Sequence, residues 1–234
     1  MSLKQLFFYL FLLVLSCKLK DSDKHLFILS GQSNMVRLDT DVSFIPTLEA
    51  EFGKENIIIV KDAMGSQSIK RWYKQWKAPN GNTPECTGDL YDRLMLKVID
   101  SIKNQKITSV TFIWMQGERD ARMKFAAVYE KSLLGLHKQL SNDINRSDVN
   151  FIIGRLSDFD MENKKWPHWT MIRDIQVKDG ASNPRFDWID TNDLNDGFNK
   201  KGDPIQNDLH MSVEGYKIMG KRFADKAIEL IKTN

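Results

Sequence analysis

Five short apolar segments, each followed by polar or helix-forming residues, constrain the fold of this sequence more than any other feature. The segments are five or six residues long and rich in β-branched or aromatic residues, and most are apolar nearly throughout. Such runs are typical of strands in a parallel sheet that is covered on both faces. The predicted strands are residues 25–30, 56–60, 110–115, 149–153 and 186–190.

Segments with helical periodicity lie between the predicted strands and are expected to form the layers that cover the sheet. Apolar residues recur at helical spacing over 90–102 and 129–140. A last helix is predicted to begin after Ser212, a good N-cap residue, with Glu214 in its first turn. Alternating strands and helices require right-handed crossovers, so we predict an α/β fold, a three-layer α/β/α sandwich around a parallel five-stranded sheet.

The N-terminus reads as a targeting segment. An apolar run over 6–15 follows Lys4 and is too short to span a bilayer, which matches the hydrophobic region of a signal peptide. Ser16 and Cys17 end this segment in an order that resembles a bacterial lipobox, in which the cysteine becomes the lipidated first residue. Plain secretion with an incidental cysteine and a retained anchor are the alternatives.

These features divide the chain into three parts. We expect a signal peptide over 1–17, a charged tether over 18–24 and one folded domain over 25–234. The mature protein is then exported, either as a periplasmic or outer-membrane lipoprotein or as a secreted protein. The N-terminal lipid is its only predicted membrane contact, and its oligomeric state stays open.

Composition excludes several classes of protein. The 234 residues are 41% hydrophobic and 28% charged, which is ordinary for a globular domain. The 34 basic and 31 acidic residues give a net charge of +3 without a basic block, so no nucleic-acid partner is expected. Two cysteines cannot build a disulfide scaffold, and lipidation of Cys17 would leave Cys86 unpaired. The histidines lack metal-ligand spacing, so no metal is expected.

Polar blocks follow the predicted strands directly, where the ligand site of an open α/β sheet lies. GQSNM stands at 31–35, GSQSIKRW at 65–72, WMQGERD at 114–120, and DLH at 208–210 precedes the last helix. A serine on a strand-to-helix turn exposes its hydroxyl, and a glycine lets a backbone N–H approach a substrate closely. An aspartate and a histidine two residues apart in an extended turn can point to the same side.

In their order and separation, the four blocks resemble those of the SGNH-type hydrolases, within the sialic-acid-specific acetylesterase family that includes acetyl xylan esterases (carbohydrate esterase family six). The resemblance covers roughly residues 25–232. It implies a flavodoxin-like sandwich and a serine esterase that removes acetyl groups from carbohydrate without a metal or an organic cofactor.

The resemblance also implies roles for individual residues. Ser33 would be the nucleophile, His210 the general base, and Asp208 the acid that orients the imidazole. Many SGNH enzymes carry the acid three residues before the histidine, where this chain has Asn207. Glu118 therefore remains a second candidate for the acid, or a brace for the loop that carries the histidine.

An oxyanion hole is implied by the same blocks. Its donors would be the backbone N–H of Ser33, a backbone N–H at Gly65 or Ser66, and the side-chain amide of Gln116. The family commonly has a second glycine where this chain has Ser66.

Candidate substrate contacts are the polar and aromatic residues beside these blocks. They are Gln32, Arg71, Trp72 and Arg119. Trp72 is equally well explained as a core residue, and Arg71 as a solvated one. Two further hypotheses remain open: an esterase acting on another acyl substrate, and a catalytically silent carbohydrate-binding protein. The sequence does not choose among acetylated xylan, acetylated sialic acid and other acetylated glycans.

Overall fold

A computed structural model describes residues 24–234 as a central sheet between helices. The predicted signal peptide with Cys17, and the tether except for Lys24, lie outside the described residues. The five strands of the central sheet are β1 (Lys24–Gly31), β2 (Ile57–Ala63), β3 (Ile107–Met115), β4 (Asn150–Gly154) and β5 (Phe186–Ile189).

Seven α-helices pack around this sheet or lie at its edge in the described part of the chain. They are α1 (Ser33–Arg37), α2 (Phe44–Phe52), α3 (Asp89–Ile102), α4 (Glu118–Arg122), α5 (Ala126–Asp143), α6 (Trp169–Gly180) and α7 (Val213–Thr233). Short 3-10 turns occur at Lys54–Asn56 and Ile69–Arg71, and a small antiparallel pair is formed by β6 (Gly197–Phe198) and β7 (Pro204–Ile205).

All neighbouring strands of the central sheet are parallel, in the order β2-β1-β3-β4-β5. This is the flavodoxin-like order of a doubly wound sheet. The predicted α/β fold with a parallel five-stranded sheet is therefore confirmed. Strands β1, β2 and β3 are longer than predicted, whereas β4 has the predicted length shifted by one residue and β5 is one residue shorter. The largest difference is at the start of β3, where the three residues from Ile107 are not apolar throughout and therefore carry little sequence signal.

The sheet has an apolar core on each face. One core joins alternate residues of β1 and β3, such as Leu26 and Phe112, to helices α3, α5 and α6. The other joins Phe27 and Ile113 to helices α1, α2 and α7. Successive side chains of a strand point to opposite faces, so apolar residues at every position produce two cores and three layers.

The last helix begins as the sequence indicates. The Ser212 hydroxyl accepts a hydrogen bond from the Gly215 N–H at 3.0 Å, which caps α7. This fixes the chain direction immediately after residues 208–210 and brings that loop over the carboxyl end of β1. Among residues 24–234, no helix is long and apolar enough to cross a membrane.

Candidate active site

Ser33 begins α1 two residues after the end of β1. Gly31 precedes this turn with φ +142°, and a Cβ atom there would stand 2.0 Å from the Met115 carbonyl oxygen. A glycine is thus required for β1 to leave the sheet so close to β3. The Gln32 N–H donates to the same carbonyl at 2.9 Å, which fixes the turn that presents Ser33.

The Ser33 hydroxyl meets the imidazole of His210. Ser33 Oγ and His210 Nε2 are 3.2 Å apart, although 177 positions separate the two residues in sequence. This is the contact that a serine nucleophile and its general base require. Burial lowers the pKa of His210 below its usual value, and the positive charge of Arg37 lowers this pKa further. The imidazole is therefore neutral at neutral pH and able to accept the serine proton.

Asp208 is the carboxylate beside the second imidazole nitrogen. Asp208 Oδ1 accepts a hydrogen bond from the His210 backbone N–H at 2.8 Å and lies 3.6 Å from His210 Nδ1. Its negative charge opposes the lowering of the His210 pKa. The distance to Nδ1 is longer than a hydrogen bond, and such contacts often tighten only when substrate is bound. Asn195 holds this turn, because its side chain donates to the Asp208 carbonyl oxygen at 3.1 Å.

The side chain of Glu118 points towards Asn34 and not towards His210. Its side chain is fully buried at the start of α4, and its Oε1 accepts a hydrogen bond from Asn34 Nδ2 at 2.9 Å. Burial raises the pKa of Glu118 to about 7. No hydrogen bond or ion pair joins Glu118 to His210 within the described residues, so the geometry places Asp208 rather than Glu118 beside the imidazole.

Three backbone N–H groups at the nucleophile have no protein acceptor in the described part of the chain. A Cβ atom added to Gly65 would come within 3.7 Å of Ser33 Cβ, so this glycine borders the nucleophile directly. Within residues 24–234, the N–H groups of Ser33, Gly65 and Ser66 donate to no protein acceptor. Ser66 has φ +62°, a left-handed conformation that favours glycine. Its side chain points into a cleft instead of crowding a buried neighbour.

The side-chain amide of Gln116 does not take the predicted place of an oxyanion donor. Its side chain is fully buried, and its Nε2 donates to Asp120 Oδ2 and to the Gln67 carbonyl oxygen, the latter at 3.1 Å. Its N–H groups are thus engaged by internal acceptors, and its unpartnered Oε1 has no proton to offer an oxyanion. Gln116 therefore belongs to the support beneath the site rather than to the donors facing the nucleophile.

Asp120 is the centre of this support. Its carboxylate accepts hydrogen bonds from the Ser68 hydroxyl at 2.8 Å and the Ile69 N–H at 2.9 Å, besides that from Gln116. Burial raises the pKa of Asp120 to about 6. These bonds anchor the loop that follows β2, which carries Gly65 past Ser33.

A polar cleft of about 530 Å³ opens beside Ser66. Arg71 and Arg119, both predicted as substrate contacts, line it together with charged, polar and apolar side chains. Arg71 is held by Asp89 on one side and donates to Gln67 Oε1 at 2.8 Å on the other, so it is ordered before any ligand binds. The exposed thiol of Cys86 also lines the cleft.

Two predicted substrate contacts are wrong. Trp72 is fully buried and packs edge-on against Trp114, with ring centroids 5.2 Å apart. Gln32 is 3% exposed, and its Oε1 accepts a hydrogen bond from the Arg119 N–H at 3.1 Å. Both residues lie next to motif residues in sequence, but their side chains point into the protein.

Sequence reasoning gave no role to Arg37, Asn34 or Asn195. Arg37 lies one helical turn after Ser33, a spacing that could have indicated its closeness to the site. Asn34 stands within the GQSNM block, but its partners Glu118 and Leu209 are distant in sequence. Among residues 24–234, no group of three or more histidine, cysteine, aspartate or glutamate side chains could hold a metal ion.

An α/β/α sandwich with a serine–histidine pair at the carboxyl end of its parallel sheet defines a class of hydrolases that act through a serine. The family model of carbohydrate esterases described as sialic acid-specific acetylesterases matches residues 36–229. The match spans more than half of the chain, which therefore belongs to this family and is a carboxylic ester hydrolase.

Solved structures share the fold at low sequence identity. A protein from Arabidopsis thaliana aligns with a TM-score of 0.65 and 18% identity, over 88% of this chain and 98% of that one. A carbohydrate acetylesterase from Xanthomonas citri aligns with a TM-score of 0.63 and 18% identity, over 89% and 57% of the two chains. The protein NanS aligns with a TM-score of 0.63 and 12% identity, over 91% and 99%. No curated protein sequence matches the chain significantly.

Proposed function

We propose that this esterase removes O-acetyl groups from carbohydrate through an acetyl-enzyme on Ser33. The observation that carries the proposal is the 3.2 Å contact between Ser33 Oγ and a His210 imidazole that burial keeps neutral. Family membership supports an ester as the substrate, and the Xanthomonas citri neighbour is itself a carbohydrate acetylesterase.

In the first half of the reaction, Ser33 Oγ attacks the carbonyl carbon of the ester while His210 Nε2 takes the serine proton. The carbonyl oxygen becomes an oxyanion, and the N–H of Ser33 together with that of Gly65 or Ser66 stabilises it. The bond from this carbon to the sugar oxygen then breaks. His210 returns the proton to the sugar oxygen, so the sugar leaves as an alcohol and the acetyl group stays on Ser33.

In the second half, His210 takes a proton from a water molecule that attacks the acetyl-enzyme. A second oxyanion forms and collapses, the bond to Ser33 Oγ breaks, and His210 protonates the serine. Acetate is the product. Asp208 stabilises the imidazolium that exists briefly in each half, because its carboxylate lies 3.6 Å from His210 Nδ1.

The lining of the cleft favours a hydroxyl-rich substrate over a long acyl chain. Charged, hydroxyl and amide side chains line it, including Ser66, Gln67, Lys70 and Arg119. Ser33 and His210 do not line this cleft, which adjoins the nucleophile through Ser66 and Gly65. Sugars are bound by such hydrogen-bonding groups, whereas a lipid chain requires a continuous apolar channel.

The substrate is tested with a panel of acetylated glycans that includes acetylated xylan and O-acetylated sialic acid, scored for released acetate. Wild type and Ser33→Ala are compared at equal concentration. The proposal predicts release from at least one glycan by wild type alone. Turnover of p-nitrophenyl acetate without turnover of any glycan would favour another acyl substrate. Binding of glycan without release of acetate would favour a silent carbohydrate-binding protein.

We also propose that the protein is exported with Cys17 as its lipidated residue, on the sequence pattern of residues 6–17 alone. Several lipid chains hold a bacterial lipoprotein firmly to a membrane, whereas a single chain gives marginal attachment. Fractionation of cells that produce wild type should find the protein in membranes, and Cys17→Ala should lose that association. Recovery of wild type wholly in the soluble periplasm or the medium would instead favour plain secretion.

A further inference from the structure

The side chain of Asn34 joins three separate parts of the site. Its Nδ2 donates to Glu118 Oε1 at 2.9 Å and to the Leu209 carbonyl oxygen at 3.2 Å. Its Oδ1 accepts a hydrogen bond from the Tyr216 hydroxyl at 2.8 Å. Two acceptors face the nitrogen and one hydroxyl faces the oxygen, so the orientation of this buried amide is fixed by its partners.

These contacts bridge the nucleophile and the base. Asn34 follows Ser33 in the chain, and the Leu209 carbonyl belongs to the residue just before His210. One side chain therefore ties the turn that presents the hydroxyl to the loop that presents the imidazole. The two groups must remain within hydrogen-bond distance for proton transfer, and their observed separation is 3.2 Å.

We infer that Asn34 is a positioning residue for the Ser33–His210 pair and that Glu118 acts through it. Glu118 fixes the amide of Asn34, and Asn34 fixes the Leu209 carbonyl and with it the imidazole of His210. The inference rests on the proposed serine-esterase function, in which these two groups exchange a proton.

The environment of Glu118 supports this role. Its side chain is fully buried, Asn34 is its one side-chain partner among the described residues, and its Oε2 has no hydrogen-bond partner there. Burial of a carboxyl group costs stability, and burial is the largest cause of the raised pKa of Glu118, so this group is poorly explained as a stabilising feature of the core. A charged acceptor makes a shorter and stronger hydrogen bond than a neutral one, and it therefore holds the Asn34 amide more firmly.

The experiment compares Asn34→Ala and Asn34→Asp with a control, Tyr216→Phe. Asn34→Ala removes every hydrogen bond of the amide, and Asn34→Asp keeps its size and its acceptor but removes both N–H groups. Tyr216→Phe removes only the bond to Oδ1 and leaves both donated bonds in place. For each variant, the melting temperature is measured first. Then kcat and KM for p-nitrophenyl acetate and their pH profile are measured well below that temperature.

Loss of the hydrogen bond to the Leu209 carbonyl allows the imidazole to move, and a misplacement of about 1 Å costs roughly 10²-fold in rate. We expect kcat to fall about 10²-fold in both Asn34 variants, with KM changed less than about threefold. In Tyr216→Phe, kcat should fall less than about tenfold. The acid limb of the pH profile should flatten in the Asn34 variants, because the displaced imidazole takes the serine proton less effectively and more of the remaining rate is independent of it.

The inference is overturned if folded Asn34→Ala keeps kcat within about threefold of wild type. It is also overturned if activity falls only in proportion to the folded fraction and the acid limb is unchanged, because that result describes a purely structural residue. Failure of the proposed function would look different: Ser33→Ala would then hydrolyse the ester as fast as wild type, whatever the Asn34 variants do.

Discussion

Replacing Asp208 by asparagine tests which carboxylate orients the imidazole. Asp208→Asn keeps the shape of the side chain and removes its charge 3.6 Å from His210 Nδ1. Two unit charges about 4 Å apart interact with about 1 kcal/mol in bulk water and about 4 kcal/mol at an effective dielectric constant of about 20. At ~1.4 kcal/mol per tenfold in rate, this range corresponds to roughly fivefold to 10³-fold in kcat.

The surroundings of Asp208 place the expected loss inside this range. Its side chain is 44% exposed, so solvent screens its charge, whereas the imidazole is only 25% exposed. We expect a loss of about 10²-fold in kcat for p-nitrophenyl acetate at pH 7.5, smaller than the ~10⁴-fold loss measured in the serine protease triad with a buried aspartate.

Glu118→Gln is the matched comparison, because it neutralises the other candidate acid. A glutamine oxygen can still accept the hydrogen bond from Asn34, so we expect kcat to change less than about tenfold, in line with the loss of one buried charge-assisted hydrogen bond. Melting temperatures of both variants report whether they are folded. The reasoning is refuted if Asp208→Asn keeps full turnover while folded Glu118→Gln loses turnover by about 10³-fold or more, since Glu118 would then be the acid.

Three further predictions concern pH and strain. The acid limb of kcat/KM should have its midpoint below about 6.5, because burial lowers the pKa of His210 and only its neutral form accepts the serine proton; a midpoint above this value in a pH titration would contradict the assignment. Burial raises the pKa of Glu118 to about 7, so near neutral pH the folded protein holds a proton that the unfolded chain has lost. The free energy of unfolding therefore decreases as the pH rises through this pKa towards 8. Wild type should therefore gain more in melting temperature between pH 8 and pH 6 than Glu118→Gln, and equal gains would show that this group does not titrate there. Ser66→Gly should raise the melting temperature by up to roughly 2–4 °C, because it relieves a left-handed conformation that costs about 1 kcal/mol; a lower melting temperature in calorimetry would show that Ser66 is not strained.

The fold was predictable because its signals are local. Buried strands of a parallel sheet are apolar at nearly every position, as in residues 25–30, and the helices between them keep their own periodicity. The Ser212 cap was likewise visible in sequence, because capping joins residues three positions apart.

The site was predictable only in part. The motif blocks brought Ser33, His210 and Asp208 to attention, and the structure places them together. Whether a side chain points into the core or towards the site is decided by packing, which the order of residues in the sequence does not show. Trp72 therefore fitted a sugar contact and a core residue equally well in sequence, and the structure places it in the core. Gln116 looked like an oxyanion donor, although its N–H groups donate to Asp120 and Gln67.

The supporting hydrogen bonds were the least predictable feature. Asn34 and Glu118 are 84 positions apart, and Asn34 and Leu209 are 175 apart. Each partner is an ordinary polar residue in its own block, and only the sheet topology brings the blocks together. Such contacts become visible once the fold is known.

The central claim, that Ser33 carries the acyl group, is tested most directly by trapping the acetyl-enzyme. Wild type and Ser33→Ala are mixed with excess p-nitrophenyl acetate, quenched in acid and analysed by intact and peptide mass spectrometry. The account predicts one added acetyl group on wild type, located at Ser33, and none above background on Ser33→Ala. An acetyl group on another residue of wild type, or equal turnover by Ser33→Ala, would contradict it.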